Sequence, residues 1–154
     1  MIKIQHLKIF VLAVIAAFFS LVTLNNIVDY ETNHWCVQST LAMESVQASN
    51  VVWRAIQSPW VITSAYILII LVEATIALLC WLSVILMLLK RGGKRLGLLS
   101  LTLAFGLFML GFVVIAGEWF YMWQHSALAD MQQKAAVFAV VMLNSMLFVA
   151  YEEP

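Results

Sequence analysis

The sequence predicts an all-α fold, an integral membrane four-helix bundle with a partly helical outer cap between its first and second spans. Three observations predict it. Of the 154 residues 64% are hydrophobic and 10% charged, more apolar surface than a soluble chain this short can hide. Four apolar stretches each approach or exceed the ~20 residues a helix needs to cross a bilayer core of ~30 Å. The charges gather in the connections between those stretches, so their placement sets a direction.

The first span covers residues 9–24. Preceded by Lys3 and Lys8, it has the shape of a signal peptide, but it leads into LNNIVDY without a small-x-small cleavage site, so an uncleaved helix is expected. Residues 25–59 form the outer cap. There Asn50 stands ready to cap a short helix over VVWRAI, and Ser58-Pro59 reads as the N-cap and first helical residue of span two. Span two covers 60–89 and span three 96–123; between them KRGGKR, with glycines at 92 and 93, suits a sharp antiparallel reversal. Span four covers 135–151. No internal repeat or linker divides the chain, which reads as one domain over 1–154.

Orientation follows from the basic residues. KRGGKR carries four positive charges and the N-terminal leader two, against Arg54 in the cap and Lys134 in the third connection. Basic residues stay inside, so both termini and the hairpin bend are expected on the cytoplasmic side of a bacterial inner membrane. Counting from the bend at ~1.5 Å per residue puts Glu73 about 25 Å and Glu118 about 34 Å above it, both near the outer boundary. Arg54 is the natural counter-ion for either acid, with Lys134 second. Trp35, Trp53, Trp60, Trp119 and Trp123, with Tyr66 and Tyr121, fall on the same side as an interfacial belt, part of which could line a pocket.

Other features read as structure more readily than as chemistry. Cys36 in the cap and Cys80 in the inner part of span two are too far apart for an internal disulfide. His6, His34 and His125 form no paired metal motif, and a site would need His34, His125 and Glu118 to converge; no metal or cofactor is expected. Nucleophile elbows, phosphate-binding loops and paired-cysteine motifs are missing, and zero net charge gives no basic face for nucleic acid. Ala13, Ala17, Gly106, Gly111 and Gly117 would allow close helix approach, and Asn144 in span four would donate a hydrogen bond between helices of the bundle.

The runs NNIVDYETN (25–33), CVQSTLAMES (36–45), WRAIQSP (53–59) and GEWFYMWQ (117–124), together with Glu73, resemble a bacterial family of predicted small integral membrane proteins, a domain of unknown function. The resemblance spans nearly the whole chain. It implies four spans in the inner membrane and a recurrent polar set, here Asn25, Asn26, Asp29, Tyr30, Asn33, Trp53, Arg54, Glu73, Glu118, Trp119 and Gln124. The chain departs from the pattern at Ser39, where the family carries histidine, and at Glu44, where it carries aspartate, which weakens any metal or proton role for that loop.

Within that set Arg54, Glu73, Glu118, Asp29 and Trp119 are expected to form a polar cluster, and Asn25, Asn26, Tyr30, Asn33, Trp53 and Gln124 an outer contact face. The first functional expectation is a non-enzymatic protein acting by contact, an accessory subunit of an envelope complex or an immunity-type protector. Its partners would be membrane lipids and another membrane protein or a second copy. The alternatives are a small oligomeric proton, cation or solute transporter using Glu73, and a lipid or quinone binder or enzyme with an outer-leaflet pocket.

Overall fold

The computed structural model describes residues 3–152, all of whose long elements are helices. α1 runs Ile4–Val28, α2 Tyr30–Leu41, α3 Pro59–Leu88, α4 Lys94–Gly106 and α5 Ala129–Ala150. From Leu107 to Trp119 α4 continues as a π-helix, and short 3-10 turns occupy Val52–Arg54 and Met122–Gln124. Four rods, α1, α3, α4 with its π-helical extension, and α5, are long and apolar enough to cross a membrane.

Several boundaries differ from the sequence expectation. α1 is longer at both ends than 9–24, so Asn25 and Asn26 sit on its last turns and not in the cap. The cap begins at Asp29, where the backbone kinks (φ −102°, ψ 55°) before α2 folds back over the bundle. Pro59 opens α3 as expected, but neither Ser58 nor Asn50 caps with its side chain. The third rod stops at Trp119, because Tyr121 takes a left-handed conformation (φ 56°). α5 starts six residues earlier than the apolar run, carrying Asp130 and Lys134, which pair at 3.0 Å across one turn.

The two ends of the bundle are built differently. At the hairpin end the packing is dense and rests on small residues. Gly97 lies where a Cβ would meet Ser83 Oγ at 2.8 Å and Leu12 Cδ1 at 2.9 Å, so α1, α3 and α4 converge on it. Ser83 donates to the Gly93 carbonyl at 2.9 Å, Ser100 to that of Gly97 at 2.8 Å, and the Cys80 thiol to Ser100 Oγ at 3.1 Å. Around them Leu12, Ala16, Phe19, Ile76, Leu101 and Ala104 are fully buried. Close approach at this end therefore uses Gly97 and Ala16, and at the cap end the expected Gly117, where a Cβ would collide with the Gln132 side chain; Ala17 is exposed, and a Cβ on Gly106 would meet open space. The free carbonyls at the end of α5 are taken by two lysines: Lys8 from α1 bonds Tyr151, and Lys94 bonds Ala150 at 2.8 Å and the Glu152 carboxylate at 2.9 Å.

At the cap end the rods part. α3 packs along α1 and α4, and α5 packs along α4 and the π-helix, but α3 and the π-helix make no extended contact. The hairpin is closed at its bend and open at its tip.

Gly92 and Gly93 both have positive φ, 87° and 97°, but a Cβ on Gly92 is in open space whereas one on Gly93 lies 2.7 Å from the Ser83 carbonyl oxygen. Gly92→Ala should therefore cost about 1–2 kcal/mol, the left-handed penalty alone. Gly93→Ala should cost clearly more, and Gly106→Ala should be neutral or stabilising. Thermal unfolding of the three variants in one detergent checks the order.

Candidate functional site

Glu73 stands about halfway up α3 (Pro59–Leu88) from the bend, facing α1, and is 4% exposed. Its neighbour is Asn26, whose carboxamide donates to Glu73 Oε2 at 2.6 Å. Asn26 is held in turn from above, because Tyr66, two turns before Glu73 on α3, donates its hydroxyl to the Asn26 carbonyl at 2.6 Å. One residue near the end of α1 is thus tied at two levels of α3. Tyr66 also carries the cap: His34 of α2 packs edge-on to its ring at 5.6 Å, stacks on Tyr30 at 5.5 Å, and bonds Thr63 Oγ1 at 3.1 Å.

The gap between α3 and the π-helix forms a cavity of about 520 Å³ into which Glu73 opens. Its polar wall comes from α1, α2 and α3, with Asn26, Asn33, Cys36, Thr40, Tyr66 and Glu73; the third rod and α5 give it an apolar wall, edged by Lys134, which is paired with Asp130. On the third rod that wall is the stripe Phe108, Phe112, Ala116 and Phe120. Residues four apart lie on the same side of a helix, so the row presents one aromatic face to the gap. Phe138 of α5 stacks on Phe108 at 5.2 Å and extends the aromatic surface. Gly111 sits within the stripe, where a Cβ would meet nothing nearer than Leu107 Cδ1 at 3.8 Å, so this glycine leaves space and does not draw helices together. Leu68 and Ile115 line the cavity while being 60% and 43% exposed, which places its mouth sideways between α3 and the π-helix, toward lipid.

The expected cluster does not assemble around Glu73. The ion pairs among the described residues are Lys94–Glu152 and Lys134–Asp130, so Arg54 neutralises neither acid. Its guanidinium lies 4.5 Å from the centre of the Trp119 ring, with Trp53 at 5.6 Å and Tyr121 at 5.8 Å, and donates weakly to the Trp119 carbonyl at 3.4 Å. The charge of this planar cation is held by three aromatic faces in place of a carboxylate, while its buried Nε has no hydrogen-bond partner among the described residues. Glu118 is exposed and has no hydrogen-bond partner among the described residues. More residues per turn in the π-helix also shorten its rise, so Glu118 sits lower than an α-helical ruler of ~1.5 Å per residue places it. Asp29, Asn25 and Tyr30 are exposed, and Gln124 is partly so.

Other expectations also resolve. The five cap-end tryptophans are all exposed and none lines the cavity; from that aromatic set Tyr66 does. Both cysteines are free. Burial pushes the Cys36 thiol above its ordinary value, and the charge of Asp29 adds to the rise while a backbone hydrogen bond opposes it. His125 accepts from the Ala127 N–H and packs against Trp35, so it does not meet His34, and among the described residues no three His, Cys, Asp or Glu side chains gather as metal ligands. Sequence reasoning missed Asn26 as the partner of Glu73. It also missed the phenylalanine wall, whose one sequence trace is the four-residue repeat in span three.

Removing one partner of a buried polar pair should cost more than removing both. Asn26→Leu alone should destabilise by about 1–3 kcal/mol, because it leaves the Glu73 carboxyl without a donor. Adding Glu73→Leu should recover part of that loss, with a coupling of about 0.5–3 kcal/mol in a double-mutant cycle of thermal or denaturant unfolding.

A family model described as "Predicted small integral membrane protein" matches residues 4–152. No curated protein and no solved structure matches the chain.

Proposed function

The chain belongs to the predicted small integral membrane protein family, and we propose that it binds a bilayer-resident amphipath in the cavity between α3 and the π-helix. The observation that carries this reading is a carboxyl group 4% exposed to solvent yet facing an apolar chamber of about 520 Å³. That size falls within the ~300–1,000 Å³ typical of small-molecule sites, which combine apolar walls with a few convergent polar groups. Asn26 supplies one donor to Glu73, and a carboxylate has room for several more. A ligand headgroup bearing N–H or O–H donors would fill that deficit, while a ring or chain would lie on Phe108, Phe112 and Phe138. Quinols and amine-bearing lipid headgroups both have this chemistry. Access through Leu68 and Ile115 requires no passage through water.

The same geometry favours binding over conduction. Below Glu73 the packed side chains of Phe19, Ile76, Cys80, Leu101 and Ala104 close the floor toward the hairpin end, so a single chain offers no path across. With the basic bend in the cytosol of a bacterial cell, as the lysine and arginine bias favours, the cavity opens into the outer leaflet. A contact role at the cap face draws its support from a separate surface, the exposed Trp53 and Trp119 around Arg54.

Purification in mild detergent followed by native mass spectrometry and lipid analysis should find a bound amphipath in near-stoichiometric amount. Gly111→Leu, which fills the chamber without touching the floor, should lose it while folding normally, and Glu73→Leu should lose a donor-bearing headgroup selectively. Bound ligand should also slow alkylation of Cys36, whose raised pKa makes labelling faster as pH climbs. Recovery of an empty protein whose Cys36 labels at the same rate with and without added lipid extract would refute the reading.

A further inference from the structure

We infer that two copies of the chain pair symmetrically through one face of α5, with Asn144 of each copy hydrogen-bonded to Asn144 of the other. Asn144 lies on the apolar part of α5, six residues before its end at Ala150. That is about 9 Å from the last turn, which Lys8 and Lys94 mark as the bundle's rim, so the carboxamide stands within hydrocarbon. It is exposed, and it has no hydrogen-bond partner among the described residues. Lipid-facing hydroxyls on the other rods meet the same environment by bonding back to their own helix: Thr75 to the Leu71 carbonyl at 2.7 Å, Thr102 to that of Leu98 at 2.9 Å. Asn144 makes no such bond.

The surrounding face has the form of a helix seam. Ala135, Met142 and Val149, seven apart, are buried against the bundle. On the opposite side Val137, Val140, Asn144 and Leu147 follow the alternating three-four spacing of a left-handed helix pair, and every one is exposed. A single asparagine in an otherwise apolar seam fixes register and partner number. A carboxamide carries both donor and acceptor, so the group that best satisfies it is another carboxamide at the same depth. Two chains inserted with the same topology are necessarily parallel, and a two-fold axis along the membrane normal then sets residue 144 opposite residue 144. A second copy supplies that match without any other protein. The face lies on α5 away from the Glu73–Asn26 pair, so pairing and ligand binding can be tested apart.

The test is subunit counting of the full chain in lipid vesicles at several protein densities. The wild type should reach two subunits. Asn144→Leu should weaken association on the order of 3- to 30-fold, the range for one hydrogen bond between helices in a bilayer, and Asn144→Gln should restore it. Independently, oxidative cross-linking of Val140→Cys or Leu147→Cys should give dimers quickly, while Leu78→Cys, exposed on α3, should not. Single chains at every density, a dimer indifferent to Asn144→Leu, a larger ring, capture of a different membrane protein in place of the second copy, or equal cross-linking at Leu78 would each overturn the proposal. The cross-linking pattern decides the matter even if Asn144→Leu fails to accumulate.

Discussion

The cap end of this protein depends on one short contact, the Asn26 carboxamide on the Glu73 carboxyl at 2.6 Å. A carboxyl group on an apolar helix is costly to bury without donors, and Asn26 is the donor that α1 delivers. Because Tyr66 simultaneously takes the Asn26 backbone carbonyl, the end of α1 is fixed in height and rotation against α3. That fixes where the chain kinks at Asp29. The kink sends α2 across the top of the bundle, where His34 docks on Tyr66. The cap is thus positioned by the same residue that satisfies the acid.

The other end explains how the molecule tolerates an open chamber. Around Gly97, Ser83, Ser100 and Cys80 the helices approach closely, and in a bilayer such contact, with hydrogen bonds between helices, supplies the association that the hydrophobic effect supplies in water. A hairpin clamped at its bend can diverge at its tip. The π-helix lets it do so without breaking: i→i+5 bonding keeps the backbone satisfied through Trp119, as in the Phe120 N–H to Ile115 carbonyl bond at 3.0 Å, while its phenylalanines line the gap. A segment of this kind is uncommon enough to need a reason, and the cavity wall it builds is one.

What could be read from the sequence was whatever composition and spacing dictate. Four spans, the glycine bend, the proline at the start of α3 and a partly helical cap all follow from apolar run length and turn chemistry. The acid's neighbour did not. Pairing by charge pointed Arg54 at Glu73, since opposite charges are visible in a sequence and aromatic stacking is not; the guanidinium found Trp119, Trp53 and Tyr121 instead. Asn26 was concealed because hydropathy ended span one at residue 24, placing the next two asparagines in a loop when they occupy the last turns of a helix. The cavity was concealed for a third reason. Nothing in LFMLGFVVIAGEW announces i→i+5 bonding, and phenylalanines four apart read as ordinary packing between helices and not as the wall of a gap.

The two intramembrane asparagines show how facing decides meaning. Asn26 and Asn144 are the same group on apolar helices, and helix position alone suggests the same role for both, a hydrogen bond inside the bundle. Asn26 faces α3 and finds a carboxyl group, so its polarity is used up within the chain. Asn144 is on the face of α5 opposite Met142 and Val149, which pack into the core, so none of the described residues hydrogen-bonds its side chain. Water could satisfy an exposed carboxamide on a soluble protein, but hydrocarbon offers neither donor nor acceptor. On the proposed pairing, the cost of leaving it bare falls on the isolated chain and is removed by the second copy, so the residue that weakens a monomer would be the one that specifies the dimer.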